Sequence, residues 1–286
     1  MSEQRNSKPR IFRVKMEDKY ISSLKNPVVK DVVRLRRRNV RDAQSVLLVE
    51  GYRELQRALD NGCLPTQMFF CRSLFLGDNE DALIARARAG GSEISECGEP
   101  VFRKMAYRDR PDGLLALVPQ QRLSLDDLRL GEVPLVLVAE SIEKPGNLGT
   151  ILRSADAAGV DGVIVCDKCT DIFNPNVVRA SIGTIFTVPV VEASSAEVID
   201  WLRAKGIRIL AATPHAQLNY TDTPMDEPLA IVVGAEQYGL GPQWMAGGEL
   251  KVRIPMMGQA DSLNVASAAT ILLYEAVRQR MRLDRL

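Results

Sequence analysis

Three short stretches bring together residue types that could hold a ligand and orient a reaction. In E-K-P-G-N-L-G-T-I-L-R (143–153), a Pro-Gly turn leads into an amide, Asn147, and a guanidinium, Arg153, follows. In V-V-G-A-E-Q-Y-G-L-G (232–241), Gly234, Gly239 and Gly241 surround one carboxylate, Glu236, and let main chain approach a ligand. In D-S-L-N-V-A-S-A-A-T (261–270), Ser262 and Asn264 head a run of small residues. The glycine loop is not a Walker loop, because no Lys-Ser/Thr follows its last glycine, and its spacing also fails the dinucleotide fingerprint. Each stretch alone has a plainer explanation. A glycine after a strand makes a turn, an arginine on a helix faces water, and Asp261 or Ser262 suits a helix cap.

Other candidates carry less. His215 sits in A-T-P-H-A-Q and reads as a loop histidine. Cys166 and Cys169 form a C-x-x-C with no second pair and no nearby histidine, so no metal site is expected.

The elements that must position these residues are legible from pattern. Continuous apolar runs at 135–139, 163–165, 188–191, 208–212 and 229–233 read as parallel strands covered on both faces, with helical patterns between them. That is a doubly wound α/β domain, in which ligands bind outside the carboxyl ends of the strands. Before it, 46–118 alternates short strands (46–49, 68–70, 93–95, 114–118) with helices (52–61, 80–89 and near 100–106), as a small α/β domain does. The polar, proline-bounded stretch 119–134 reads as a linker. Residues 1–45 form a basic arm, 1–18, and a helix beginning near Pro27, striped by Val28, Val32, Val33 and Leu35.

Charge is unevenly spread. Residues 1–41 hold thirteen Lys or Arg against four acids, while the whole chain is only +1. A concentrated positive end suits phosphate contacts with nucleic acid, and equally a solvated helix face. No apolar run approaches the roughly 18 to 20 residues of a membrane span, and the N-terminus lacks the apolar core of a signal peptide, so a cytoplasmic protein is expected.

Taken in order, an N-x-G-x-x-x-R helix, a G-x-E-x-x-G-L-G loop and I-P-x-x-x-x-x-D-S-L-N-V before a small-residue helix resemble the SPOUT superfamily, in its SpoU (TrmH) branch of RNA 2′-O-ribose methyltransferases. The resemblance covers roughly 135–283; the segment 173–190, with Pro175, Arg179, Ala180, Ser181 and Gly183, is also similar to the family. It implies a C-terminal domain (135–286) tied in a trefoil knot, and a smaller N-terminal RNA-binding domain of the ribosomal-protein L30 type at 46–118. S-adenosylmethionine would lie bent in the knot, held chiefly by main chain around Thr213, Gly234, Gly239, Ile254 and Leu263. The family is homodimeric, with Asn147 and Arg153 facing Glu236, Ser262 and Asn264 in sites shared between subunits.

The implied reaction is 2′-O-methylation of a nucleotide in structured RNA, with 23S rRNA ahead of tRNA; a non-catalytic RNA-binding or ribosome-assembly protein on the same fold is the alternative. Arg153 would act as a base helped by substrate phosphate, or as a phosphate clamp, which better suits a guanidinium, a group rarely deprotonated in proteins. Two departures from the usual family motifs are Lys144-Pro145-Gly146 and Gln237-Tyr238.

Overall fold

The short strands and helices of the N-terminal part pair into a five-stranded mixed sheet in the computed structural model, which describes residues 19–283. Its elements are β1 (Lys19–Ile21), α1 (Pro27–Arg34), α2 (Arg38–Gln44), β2 (Val46–Glu50), α3 (Tyr52–Asp60), β3 (Gln67–Phe70), α4 (Glu80–Ala89), β4 (Glu93–Cys97), α5 (Glu99–Met105) and β5 (Leu114–Pro119). The strand order is β1-β4-β3-β5-β2, with β5 antiparallel to both its neighbours. The basic arm expected at 1–18 lies outside the described residues. Immediately after it the chain is structured: β1 pairs in parallel with β4, and Val29, Val32 and Leu35 are buried with Val101 and Phe102 of α5. Helix α1 begins at Pro27, as its pattern predicts, with Asn26 Oδ1 accepting from Val28 N at 2.9 Å.

The C-terminal part forms a seven-stranded sheet in which every neighbouring pair is parallel, in the order β10-β12-β9-β11-β6-β7-β8. Its elements are β6 (Leu135–Glu140), α6 (Pro145–Ala158), β7 (Gly162–Cys166), α7 (Pro175–Ala180), β8 (Val190–Ala193), α8 (Ser195–Ala204), β9 (Arg208–Ala212), β10 (Leu218–Asn219), β11 (Leu229–Val233), α9 (Pro242–Gly247), β12 (Leu250–Arg253) and α10 (Val265–Leu283). Successive residues of the central strands serve opposite faces, so both must be apolar. Leu137, Ala139, Val163 and Val165 pack under α6, α7 and α10, whereas Val136, Val138 and Ile164 pack with α8 and Trp244 of α9. The doubly wound architecture expected from the apolar runs is present.

Three strands of this sheet differ from expectation, the two-residue β10 being one that no apolar run announced. The run expected at 188–191 begins as β8 only at Val190, because Val188 N still donates to Thr184 O (3.0 Å) and Pro189 has no N–H to offer a ladder. Strand β12 was not expected: in Leu250-Lys251-Val252-Arg253 only Val252 is buried. It inserts between β10 and β9, so the chain crosses beyond β9 and returns through α10 to pack on α6.

One continuous core joins the two sheets, since Leu47, Val49 and Leu55 cluster with Ile172, Phe173 and Val177. A buried ion pair, Arg41 Nη2 to Asp171 Oδ2 at 2.5 Å, bridges the same interface. Gly183 (φ 79°) sits against the first turn of α3, where an added Cβ would lie 2.8 Å from Glu54 Cα. The stretch 119–134 lies against the second sheet through a Leu123–Val191 bridge and a buried Leu128.

Candidate active site

The carboxyl ends of β6 and β11 adjoin in the sheet, so the loops that follow them meet. After β6, Pro145 opens α6 with its fixed φ and Asn147 falls in the first turn. After β11, the glycine loop folds back so that Gly239 N donates to Ala235 O at 2.9 Å. Gly239 has φ 67°, and a Cβ on Gly234 would lie 2.4 Å from the Gly239 carbonyl. Only glycine fits at Gly234, and the left-handed backbone at Gly239 favours glycine there. That fold turns Glu236 toward α6.

Glu236 gathers three donors. Asn147 Nδ2 reaches Oε1 at 2.6 Å, Asn264 Nδ2 reaches the same oxygen at 2.8 Å, and Lys144 Nζ reaches Oε2 at 2.6 Å. The amides also meet each other, Asn264 Nδ2 donating to Asn147 Oδ1 at 3.2 Å. The hydrogen bond from Lys144 holds the Glu236 carboxyl below the usual carboxylate range, despite some desolvation, and the same contact raises the Lys144 ammonium. Asn264 has a second duty. Its Oδ1 accepts from Ala266 N at 3.1 Å, so the cap of α10 is Asn264 rather than Asp261 or Ser262.

Beside the cluster lies a cavity of about 560 Å³. Thr213, Gly234, Gly239, Ile254 and Leu263 all line it, with Ser262 and Glu236. Its walls combine glycine main chain with apolar side chains such as Leu240, Met245 and Val252, a lining suited to a ligand with a flat heteroaromatic part and polar edges. His215 lies exposed at this cavity, its backbone N donating to Thr213 Oγ1 at 3.4 Å.

Of the residues singled out in the sequence, Asn147, Glu236 and Asn264 are brought into hydrogen-bonding contact. Ser262 lines the cavity without joining that network. Arg153, two turns along α6, is exposed, and its side chain has no hydrogen-bond or ion-pair partner among the described residues. Two residues of this arrangement escaped the sequence reading. Lys144 stood out there only as a departure from the motif. Glu140, the buried last residue of β6, accepts from Gly241 N at 2.7 Å and ties the far end of the glycine loop to the sheet. A carboxylate ending an apolar strand was the available signal. Cys166 is buried and its thiol is pushed up to about 12, chiefly by burial, so it is no nucleophile.

Residues 134–274 match the SpoU rRNA Methylase family, and residues 26–116 match the MRM3-like substrate binding domain. The chain is 30% identical over 258 residues to the Bacillus subtilis (strain 168) 23S rRNA (guanosine(2553)-2′-O)-methyltransferase RlmP, spanning 90% of this chain and 98% of that one. The chain belongs to the SpoU rRNA methylase family. A second relative in that family, the 23S rRNA (uridine(2479)-2′-O)-methyltransferase of Streptomyces viridochromogenes, is 32% identical over 85% of this chain and 86% of its own length. Among solved structures, the AdoMet-bound rRNA methyltransferase from Sinorhizobium meliloti aligns with a TM-score of 0.84 and 32% identity, covering 91% of this chain and 97% of that one. AviRb from Streptomyces viridochromogenes, also solved with AdoMet, aligns with a TM-score of 0.82 and 31% identity over 90% and 100%. The cavity's glycine main chain and apolar walls fit S-adenosylmethionine, the cofactor in those two structures.

Proposed function

We propose that this protein methylates a ribose 2′-hydroxyl in large-subunit rRNA, using S-adenosylmethionine. The observation that carries the proposal is the Asn147–Glu236–Asn264 network at the rim of the glycine-walled cavity. When bound, the cofactor supplies an electrophilic methyl group. The chain's own task is then to hold the ribose in line and let its proton leave. Glu236, already accepting from three donors, positions the two amides rather than acting as a free base. Ser262 and Asn264 hold hydrogen bonds around the ribose. Arg153 clamps the neighbouring phosphate and so orients the 2′-hydroxyl, whose proton leaves to water. Main chain at Thr213, Gly234, Gly239, Ile254 and Leu263 holds the cofactor.

Several further features belong to this reading. The segment threaded past β9 is tied as a trefoil knot. Residues 46–118 form an L30-like RNA-binding unit, joined by 119–134 to the methyl-transfer unit 135–286, and the protein acts in the cytoplasm. It works as a homodimer in which Arg153 of one protomer completes its partner's site; the free, exposed Arg153 supports this.

The test is transfer of a tritiated methyl group to rRNA from cells lacking the protein, with the modified ribose then mapped. Absence of incorporation into any RNA, with cofactor binding also absent, refutes the enzyme and leaves an RNA-binding protein on this fold. Arg153→Ala and Asn264→Ala should each abolish transfer, and mixing the two inactive proteins should restore activity if sites are shared. No recovery in demonstrably mixed dimers refutes the shared site.

A further inference from the structure

A groove of about 830 Å³, larger than the glycine-walled cavity, lies at the junction of the two sheets. The first turn of α3, the loop before α4, the loop between α5 and β5, and α7 border it. Four arginines line it, and they fall into two kinds. Arg108 is committed: it donates to Glu50 O at 2.8 Å and is paired with Glu54. Arg53, Arg110 and Arg179 are exposed, and their side chains have no hydrogen-bond or ion-pair partner among the described residues.

The acids of the groove do not cancel them. Glu54 is taken by Arg108, and Glu80 is buried and turned onto the Leu76 and Gly77 amides at 3.2 and 2.8 Å. Asp112 Oδ2 accepts from Tyr52 N at 3.2 Å. Only Asp109 is an exposed carboxylate there. The groove therefore presents three free guanidinium groups to solvent, from both parts of the molecule. Its shape is set by backbone: Gly183 packs on Glu54, and Arg57 donates to Ile182 O.

The groove also borders a helix packed on the one that carries Arg153. Helix α7, which carries Arg179, lies against α6, where a Cβ on Gly149 would be 2.5 Å from Ala180 Cβ. Gly149 stands between Asn147 and Arg153, so the free Arg179 and the free Arg153 are on two adjacent, directly packed helices.

We infer that this groove is a binding site for the phosphodiester backbone of the substrate RNA, with Arg53, Arg110 and Arg179 as its phosphate contacts. A planar, permanently charged fork is suited to phosphate oxygens. The inference rests on the rRNA methylation reading and adds where the RNA backbone lies.

The experiment measures binding of an unmodified large-subunit rRNA transcript across a salt series. It compares the wild type, Arg53→Ala/Arg110→Ala/Arg179→Ala, and a control triple, Arg129→Ala/Lys205→Ala/Lys251→Ala, that removes the same charge from exposed positions elsewhere. The groove triple should bind at least about 10-fold more weakly than the control at about 0.1 M salt, and its log–log salt slope should be shallower by about 2, since each phosphate contact contributes roughly 0.7 to 0.9. Unchanged cofactor affinity by calorimetry shows that the variant is folded, and each single substitution should lower the slope by just under one. Equal affinity and slope for the two triples overturn the groove while leaving the methylation reading intact. A wild type that binds cofactor but neither binds nor methylates the transcript overturns both.

Discussion

Two of the cation–carboxylate pairs that join distant parts of this chain do opposite work. Arg41–Asp171 bridges the two sheets with side chains 2% and 8% exposed, whereas Lys144–Glu236 spans the proposed active site with side chains 69% and 31% exposed. In the first, neither charge can turn to water, so each depends on the other: Arg41 also donates to Leu35 O and Arg36 O, and Asp171 Oδ1 accepts from Phe173 N at 3.0 Å. In the second, water can replace either partner, and such pairs add little to stability. What Lys144–Glu236 fixes is direction, because an ionised Glu236 obliges both amides to point their NH₂ groups inward. The same chemistry holds the fold in one place and aims side chains in the other.

The strongest way to break this contrast is Asp171→Ala. It leaves Arg41 buried without a counter-charge, which costs about 3 to 5 kcal/mol in such settings. Urea unfolding should show that loss, with activity falling only as the protein unfolds. A change below about 1 kcal/mol would put Arg41–Asp171 in the surface class. Glu236→Gln should do the reverse. The glutamine can still present its oxygen to Asn147 and Asn264, but its NH₂ then faces the Lys144 ammonium, donor against donor. Methyl transfer should drop about 100-fold through misplacement of the amides, with the melting temperature unchanged. Lost activity that tracks lost stability would erase the distinction.

Helix α10 sharpens the comparison with uncharged residues. Ala266 is 2% exposed in the core, while Ala268 borders the cavity. Ala266→Leu should overpack the helix and destabilise by about 1 to 3 kcal/mol. Ala268→Leu should leave unfolding unchanged and weaken cofactor binding about 10-fold by filling the cavity, read by calorimetry. Equal effects on stability would mean that the cavity wall is as tightly packed as the core.

How far these features were legible follows from their physics. Strands β6 and β11 are buried on both faces, so their apolar runs announce them, and Asn147 and Glu236 follow ends that a parallel sheet brings together, with Asn264 reaching them from the cap of α10. Strands β1 and β12 expose most of their residues and owe their existence to neighbours. Partner choice is less legible still, since Lys144 meets Glu236 across 92 residues. Counting charge misled in one respect. Arg36 and Arg41 belong to the basic N-terminal run, yet Arg41 is buried on Asp171 and Arg36 donates to Ala106 O at 2.6 Å, so neither guanidinium is free for phosphate.

The smallest expected effect separates two carboxylates that grip the same glycine loop. Burial pushes the Glu140 carboxyl above its ordinary 4.5, opposed by the Gly241 N–H, whereas Lys144 draws Glu236 below it. Just above pH 4.5 the unfolded chain has released the Glu140 proton while the folded chain still holds it, so this group's contribution to stability falls as pH rises through that window. Glu236 has the opposite sign: its contribution is present above pH 4.5 and is lost as pH falls through its lower folded value. Glu140→Gln keeps an acceptor for Gly241 N and removes the buried charge. Its melting temperature should therefore rise slightly at neutral pH, and the decline between pH 4.5 and neutrality should flatten. A fall in melting temperature with loosened cofactor binding would instead show that the ionised carboxylate, and not merely an acceptor, holds the loop to β6.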